Sequence, residues 1–157
     1  MTSPEAADRG GAALHFRALE NLYAAAPVNA LFRSHLDILE AGRARITFIA
    51  DEKYFHAAGA THGTLYFKML DDAAFYAANS LVSDRFLLTT GFNLHFTKPL
   101  RTGKVIAEGK WISGKRRVFI AEAHLTDGEG DEIGRGTGTF MRSHIVLSGL
   151  DGYRQPE

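Results

Sequence analysis

His62 and Gly63 open a run of helix-forming residues, and the first carboxylates after them are Asp71 and Asp72. A helix that starts at this pair leaves its first backbone N–H groups unpaired at the positive end of its dipole, where an oxyanion can be held. Asp71 has the chemistry of a general base toward water or of a carboxylate nucleophile. At a rise of 1.5 Å per residue, however, it lies roughly 12–14 Å along the helix from that end. A group that attacks a carbonyl, or activates water against it, must come within about 3–3.5 Å of it. One helix therefore cannot supply both halves of such a site. Two antiparallel copies related by a two-fold axis can, because the start of each then lies beside the middle of the other.

Further candidates surround this pair. His56 carries an imidazole that can donate a hydrogen bond, act as acid or base, or sit idle in a surface turn. His62 reads first as a turn-shaping or helix-capping residue and second as a base. Thr89 and Thr90 carry hydroxyls in a strand, where threonine is also simply a good strand former. Lys68 and Asp72 stand four apart and can pair in a polar stripe that Asn79 continues, so Asp72 reads as structural. Asp71 is turned about 100° from that stripe, among Phe67, Leu70 and Phe75. His95, His124, His144 and Trp111 read as packing or surface residues.

These residues need elements to hold them. Apolar positions at Ala12, Phe16, Leu19, Leu22 and Tyr23 have helical spacing, and Pro27 stops that helix. "HLDILEAGRARITFIA" reads as a hairpin with Gly42 in its turn. From Gly63 to Leu81 the pattern is apolar nearly all round, which predicts a helix buried on most sides. Strand runs follow, "FLLTTGFNLHFTKPL", "KVIAEGKWIS", "VFIAEAHLTD" and "EIGRGTGTFMRSHIVL". In the first, Phe92, Leu94 and Phe96 face one way and Asn93, His95 and Thr97 the other. The pattern is α+β: an antiparallel meander of five to six strands curled around one long central helix, with a short N-terminal helix before it.

The chain of 157 residues reads as one domain over 11–148, with a loose start over 1–10 and a loose tail over 149–157. Its 18 basic and 18 acidic residues cancel, which gives no reason to expect nucleic acid or an anionic membrane as partner. With no cysteine, disulfides and thiolate metal sites are excluded, and the seven histidines form no H-x-x-x-H pair, so no metal is expected. No stretch has the apolar length of a signal peptide core or a membrane span. The expectation is a cytoplasmic protein.

"HAAGATHGTLYFKMLDDAAFYAANS" followed by "FNLHFTKPLRTGKVIAEGKWISGKRR" resembles the hotdog-fold acyl-CoA thioesterases, in the phenylacetic-acid-degradation (PaaI-like) branch of the 4-hydroxybenzoyl-CoA thioesterase superfamily. The resemblance spans roughly Arg33 to Arg142. It rests on His62-Gly63, an aspartate nine residues after the histidine, and a strand with Phe96, Pro99 and Gly103 in the family's spacing. It implies hydrolysis of an acyl- or aroyl-CoA, a homodimer that probes each carbonyl from two subunits, and pairing of dimers into a homotetramer. Gly63 would supply the oxyanion donor, Asp71 of the other subunit the base or nucleophile, and Thr89 the hydroxyl that holds the attacking water. Lys115, Arg116 and Arg117, otherwise a solvated hairpin turn, would bind the phosphates of coenzyme A, with Arg101 and Lys104 as weaker candidates. No cofactor is implied beyond the coenzyme A of the substrate.

Two departures stand out. His56 occupies a position where the family commonly has Asn or Gln, and Thr64 one where glycine is common. Tyr54, Phe55, Tyr66 and Phe67 hint at an aromatic or medium-length acyl group. The alternatives are a non-catalytic acyl-CoA-binding hotdog domain and a hotdog enoyl-CoA hydratase. The hydratase would use Asp51 and His56, which have the right spacing but lack the Asn-Pro that usually lies between such a pair.

Overall fold

The structure, a computed structural model, describes residues 4–155. In chain order it contains α1 (Pro4–Ala25), α2 (Pro27–Phe32), β1 (His35–Glu40), β2 (Arg43–Ala50), α3 (Gly63–Asn79), β3 (Arg85–Phe96), β4 (Gly103–Ser113), β5 (Val118–Thr126) and β6 (Glu132–Val146). Single turns of 3-10 helix lie at Glu52–Tyr54 and Leu147–Gly149. The six strands form one antiparallel sheet in the order β1-β2-β4-β5-β6-β3.

Helix α3 ends at Asn79 and is wrapped by this sheet. Leu65, Tyr66, Met69, Leu70 and every residue from Ala73 to Asn79 are buried. Its alanines let β4 come very close: a Cβ built on Gly109 would stand 2.0 Å from the carbonyl oxygen of Ala73. Neither backbone can give way cheaply there. Gly109→Ala is therefore expected to destabilise the fold by about 1–3 kcal/mol or more, read as a drop in thermal midpoint.

The strand order departs from a simple meander. β4, β5 and β6 follow one another, but β3 pairs with β6 and not with β4. The connection from Thr97 to Thr102 passes beneath the start of α3, where Thr61 N–H donates to the Leu100 carbonyl at 2.7 Å and its hydroxyl to that of Arg101 at 2.8 Å. Six extended residues reach about 20 Å, enough to cross the roughly 14 Å of three strand spacings. Local alternation fixes which face a strand buries but carries no information on its neighbour, so this crossing was not legible.

Both ends of the chain are more ordered than expected. The helix expected around 12–23 begins at Pro4 and takes in the stretch to Gly10; residues 1–3 lie outside the described residues. Proline suits a first helical turn and alanines propagate one, which favours the early start. Pro27 ends α1 as expected and then starts α2. The tail also docks: the Tyr153 hydroxyl meets His15 Nδ1 at 2.7 Å, and Asn21 donates to the Arg154 carbonyl at 2.7 Å. The other nitrogen of buried His15 bonds the Asn79 carbonyl at 3.0 Å, so one imidazole joins α1, the end of α3 and the tail. These contacts span more than sixty residues of sequence, beyond the reach of composition.

Candidate active site

The start of α3 leaves a backbone donor open. His62 is the N-cap, and its Nδ1 accepts from the Thr64 N–H at 3.0 Å while its carbonyl accepts from Leu65 at 3.0 Å. An accepting Nδ1 places the ring proton on Nε2, so His62 caps as a neutral imidazole. The N–H of Gly63 has no partner among the described residues. A side chain at Gly63 would strike the ring of Phe96, at 2.8 Å from its Cε1. This end of the helix opens on a cleft of about 420 Å³ whose walls include His56, Thr61, Gly63, Tyr66, Phe96 and Pro99. His56 lies in a tight turn, with Nδ1 accepting from Ala58 N–H at 3.0 Å.

Asp71 lies elsewhere. Its Oδ1 accepts from the Thr89 hydroxyl at 2.9 Å, and Oδ2 has no partner among the described residues. A bulge between Thr89 and Gly91 breaks the pairing of β3 with β6 at this point. Thr89 is paired with the buried Phe140 and shares its inward face, while the Thr90 hydroxyl donates to the Thr139 carbonyl at 3.2 Å. Phe67 and Phe92 stack edge-to-face beside the carboxylate, at 5.5 Å between centroids. Burial raises the Asp71 carboxyl to about 6; the Thr89 hydrogen bond pulls it down, Asp72 pushes it up and Lys68 pulls it down.

Asp72 has a different setting. Lys68 pairs with it, the Tyr23 hydroxyl donates to it at 3.0 Å, and Lys68 also reaches Asn29 Oδ1 at 2.7 Å. That network ties α3 to α1 and α2. Asn79, expected to extend this stripe, is instead fully buried: it donates to the Val82 and Arg85 carbonyls and accepts from the Leu87 N–H at 2.8 Å. A side-chain amide can satisfy several loop backbone groups at once, and here it sets the entry of β3.

Within one chain the candidate residues fall into three separate places. Neither Asp71 nor Thr89 lines the Gly63 cleft, and the rise from Gly63 to Asp71 is about 12 Å. Lys115, Arg116 and Arg117 are exposed in the turn between β4 and β5. The eleven-residue β4 runs from the Gly63 end of the molecule to the far end, about 33 Å, where Lys115, Leu81 and Trp111 line one cleft.

The remaining candidates are engaged in structure. Asp51 caps the 3-10 turn by accepting from Lys53 N–H at 2.9 Å and makes no hydrogen bond to His56. Tyr54 packs against Phe32 and Phe48 and donates to the Leu31 carbonyl. The Arg101 guanidinium lies over the Phe55 ring at 5.7 Å, and His124 bonds Glu132 at 2.7 Å on the outer face of the sheet. One grouping was not anticipated: Asp127, Glu129 and Asp131 converge. The Lys98 ammonium stands among them, 2.9 Å from Asp127 and 2.8 Å from Asp131, and supplies their countercharge. Its partners lie 29 and 33 residues away, too far for any spacing rule.

With this geometry in hand, the likeness to known proteins can be placed. Residues 58–133, from the turn before α3 into β6, match the model of the thioesterase superfamily. A candidate esterase of Saccharolobus solfataricus is 28% identical over 103 residues, 66% of this chain and 69% of that protein. A thioesterase family protein from Silicibacter pomeroyi superposes with a TM-score of 0.76 at 24% identity, covering 84% of this chain and 98% of its own. The PaaI protein of the phenylacetic acid degradation operon of E. coli gives 0.76 at 16% identity, over 85% of this chain and 98% of its own. At these identities the two superpositions speak for the fold, and the matched segment carries Gly63, Asp71 and Thr89. The chain has the hotdog fold, and the segment that carries Gly63, Asp71 and Thr89 is similar to the thioesterase superfamily.

Proposed function

We propose that the protein hydrolyses acyl-CoA thioesters at composite sites, two in each homodimer. The observation that carries this reading is the division of one chain: an open Gly63 N–H at the cleft, and a raised, half-paired Asp71 about 12 Å away along the same helix. Antiparallel packing of two α3 helices about a two-fold axis brings each half beside its complement.

The thioester carbonyl accepts from the Gly63 N–H, and the helix N-terminus adds its partial positive charge. Asp71 of the other subunit removes a proton from water as the water oxygen bonds to the carbonyl carbon, with Thr89 holding the carboxylate. The tetrahedral oxyanion then collapses, the C–S bond breaks, and the proton passes to sulfur to give free acid and coenzyme A thiol. Direct attack by Asp71, through an anhydride that water then opens, uses the same residues. His56, on the wall of the cleft, is placed to donate to the thioester or its water, and His62 shapes the turn that presents Gly63.

The antiparallel arrangement also carries the Lys115–Arg117 turn of one subunit toward the Gly63 end of the other, where its cations suit the phosphates of coenzyme A. No cofactor enters this chemistry. Dimers are proposed to pair into a tetramer through the exposed apolar end of the sheet at Leu88, Ile112, Val118 and Ile120. Among the described residues no helix is long and apolar enough to cross a membrane, and a cytoplasmic setting fits the reading.

Thiol release from a panel of short, medium, long and aromatic acyl-CoAs tests it. The expected result is turnover whose kcat/KM rises through pH of about 6, as Asp71 ionises, and levels off above. Binding of acyl-CoA with no thiol released from any of them would refute hydrolysis and point to a binding domain or a hydratase.

A further inference from the structure

Two polar side chains share one cleft and have no partner among the described residues. Tyr76, near the end of α3, is 6% exposed, yet its hydroxyl makes no hydrogen bond to any of them. No side-chain oxygen or nitrogen among the described residues is both sealed from solvent and unpaired, so this hydroxyl reaches open space. That space is a cleft of about 360 Å³, and the other polar side chain on its wall is Asp151, in the docked tail. The Asp151 carboxylate forms no hydrogen bond and no ion pair among the described residues. Arg154, three residues on, donates from Nε to the Asp151 carbonyl at 2.6 Å and leaves the carboxylate unpaired.

The rest of the wall is apolar and held in place. Pro27 has no N–H to continue α1, so Ala26 is extended, at φ −66° and ψ 126°, and the chain turns a corner into α2. The small side chains of Ala25 and Ala26 leave that corner open, with Leu22, Phe86 and Ile145 completing the apolar lining. The tail closes against it: a Cβ on Gly152 would stand 3.0 Å from that of Ala25. Successive turns, from Leu150 N–H to Leu147 and from Tyr153 N–H to Leu150, hold Asp151 there, and the Tyr153 hydroxyl is fixed on His15. Tyr23 and Phe75 brace the Tyr76 ring edge-on, at 5.4 and 4.9 Å. Burial, then the Asp72 and Asp71 carboxylates, push the Tyr76 hydroxyl well above the usual range, so it remains neutral.

We propose that this cleft binds a small ligand with an ammonium group on an apolar body, the ammonium held by Asp151 and the Tyr76 hydroxyl. Each feature of the wall selects for part of such a ligand. An unpaired carboxylate attracts a cation and repels an acid. A neutral hydroxyl offers its lone pairs to an ammonium N–H, and aromatic faces such as those of Tyr76 and Phe86 favour a nearby cation. The body exchanges water for the surface of Leu22, Phe86 and Ile145, in a volume that suits a small organic molecule. Tyr76 is turned about 140° around α3 from Asp71, so this site is separate from the proposed hydrolysis and stands without it.

Three probes of one length and different charge test the assignment: n-hexylammonium, hexan-1-ol and hexanoate, titrated calorimetrically into the full chain at pH 7 and low salt. Hexylammonium is expected to saturate one site per chain, with hexanol about tenfold weaker and hexanoate weaker still. Asp151→Asn, at an exposed position, should weaken hexylammonium by about tenfold and leave hexanol unchanged. Tyr76→Phe keeps the shape, removes the hydroxyl and should weaken hexylammonium by about fivefold. Ile145→Trp, which adds bulk on the cleft wall, should abolish binding of hexylammonium and hexanol alike. Equal affinity for the three probes, no saturable binding of hexylammonium, or hexylammonium binding unaltered in any of the three variants would overturn the assignment.

Discussion

Replacing Asp71 by asparagine is expected to cut thiol release at least a hundredfold while making the folded protein more stable. Asparagine keeps an oxygen for the Thr89 hydroxyl but can neither take a proton from water nor attack a carbonyl, and loss of a positioned base costs about 10²–10⁴ in rate. The gain in stability follows from burial. The Asp71 carboxyl rises from 3.8 to about 6 on folding, so the folded chain holds its proton more tightly than the unfolded chain does. Its favourable contribution is complete below pH of about 4 and is lost as pH rises through about 6. Above that the ionised group is a cost on the order of 2 kcal/mol, which asparagine removes. Thermal unfolding at pH 8 and equal chain concentration should show a midpoint higher by roughly 4–8 °C in Asp71→Asn, and the two proteins should converge near pH 4. An active variant would remove Asp71 from the chemistry and move attention to His56. An inactive variant with no gain in stability would mean that burial does not strain the carboxylate.

Removing the Gly63 N–H is the complementary experiment, and proline is the substitution that isolates it. His62 has φ −62° and ψ 141°, the extended conformation that a residue before proline favours, and Gly63 is the first helical residue, where proline is well tolerated. The added ring meets Phe96, which is 60% exposed and has room to turn away. Gly63→Pro should lower kcat by about 10²–10³, the usual cost of one oxyanion donor.

Mixing the two inactive variants then tests the composite site. In a heterodimer of Asp71→Asn and Gly63→Pro, one site has both substitutions and the other has neither. Random reassortment of equal amounts makes half the dimers mixed, each with one intact site, so about a quarter of wild-type activity should return. Sites confined to single chains would return none, and that outcome would sink the dimeric mechanism while leaving the fold untouched.

The sequence by itself determined the elements and the chemistry available to them. The all-round apolar run after Gly63 specified a buried helix, the Gly42 hairpin was legible from its turn residue at φ 82°, and Asp71 stood off the Lys68–Asp72 stripe by its angle on the helix alone. These are local properties, set by periodicity over one or two turns and by backbone sterics. The rise per residue was enough to show that Gly63 and Asp71 could not meet within one helix.

Tertiary structure decided the rest, because it depends on contacts distant in the chain. Only folding sends β3 past β4 to pair with β6, and only that pairing sets Thr89 against Asp71, eighteen residues away. Only folding buries Asp71 enough to raise its carboxyl, surrounds Lys98 with three acidic groups, and docks the expected loose tail through Tyr153 onto His15. A cleft beside Tyr76 belongs to the same class: α1, α2, α3, β3, β6 and the tail each contribute part of its wall, and none of them alone implies a cavity. Local sequence fixes which groups a segment offers, whereas desolvation and long-range pairing fix what those groups become.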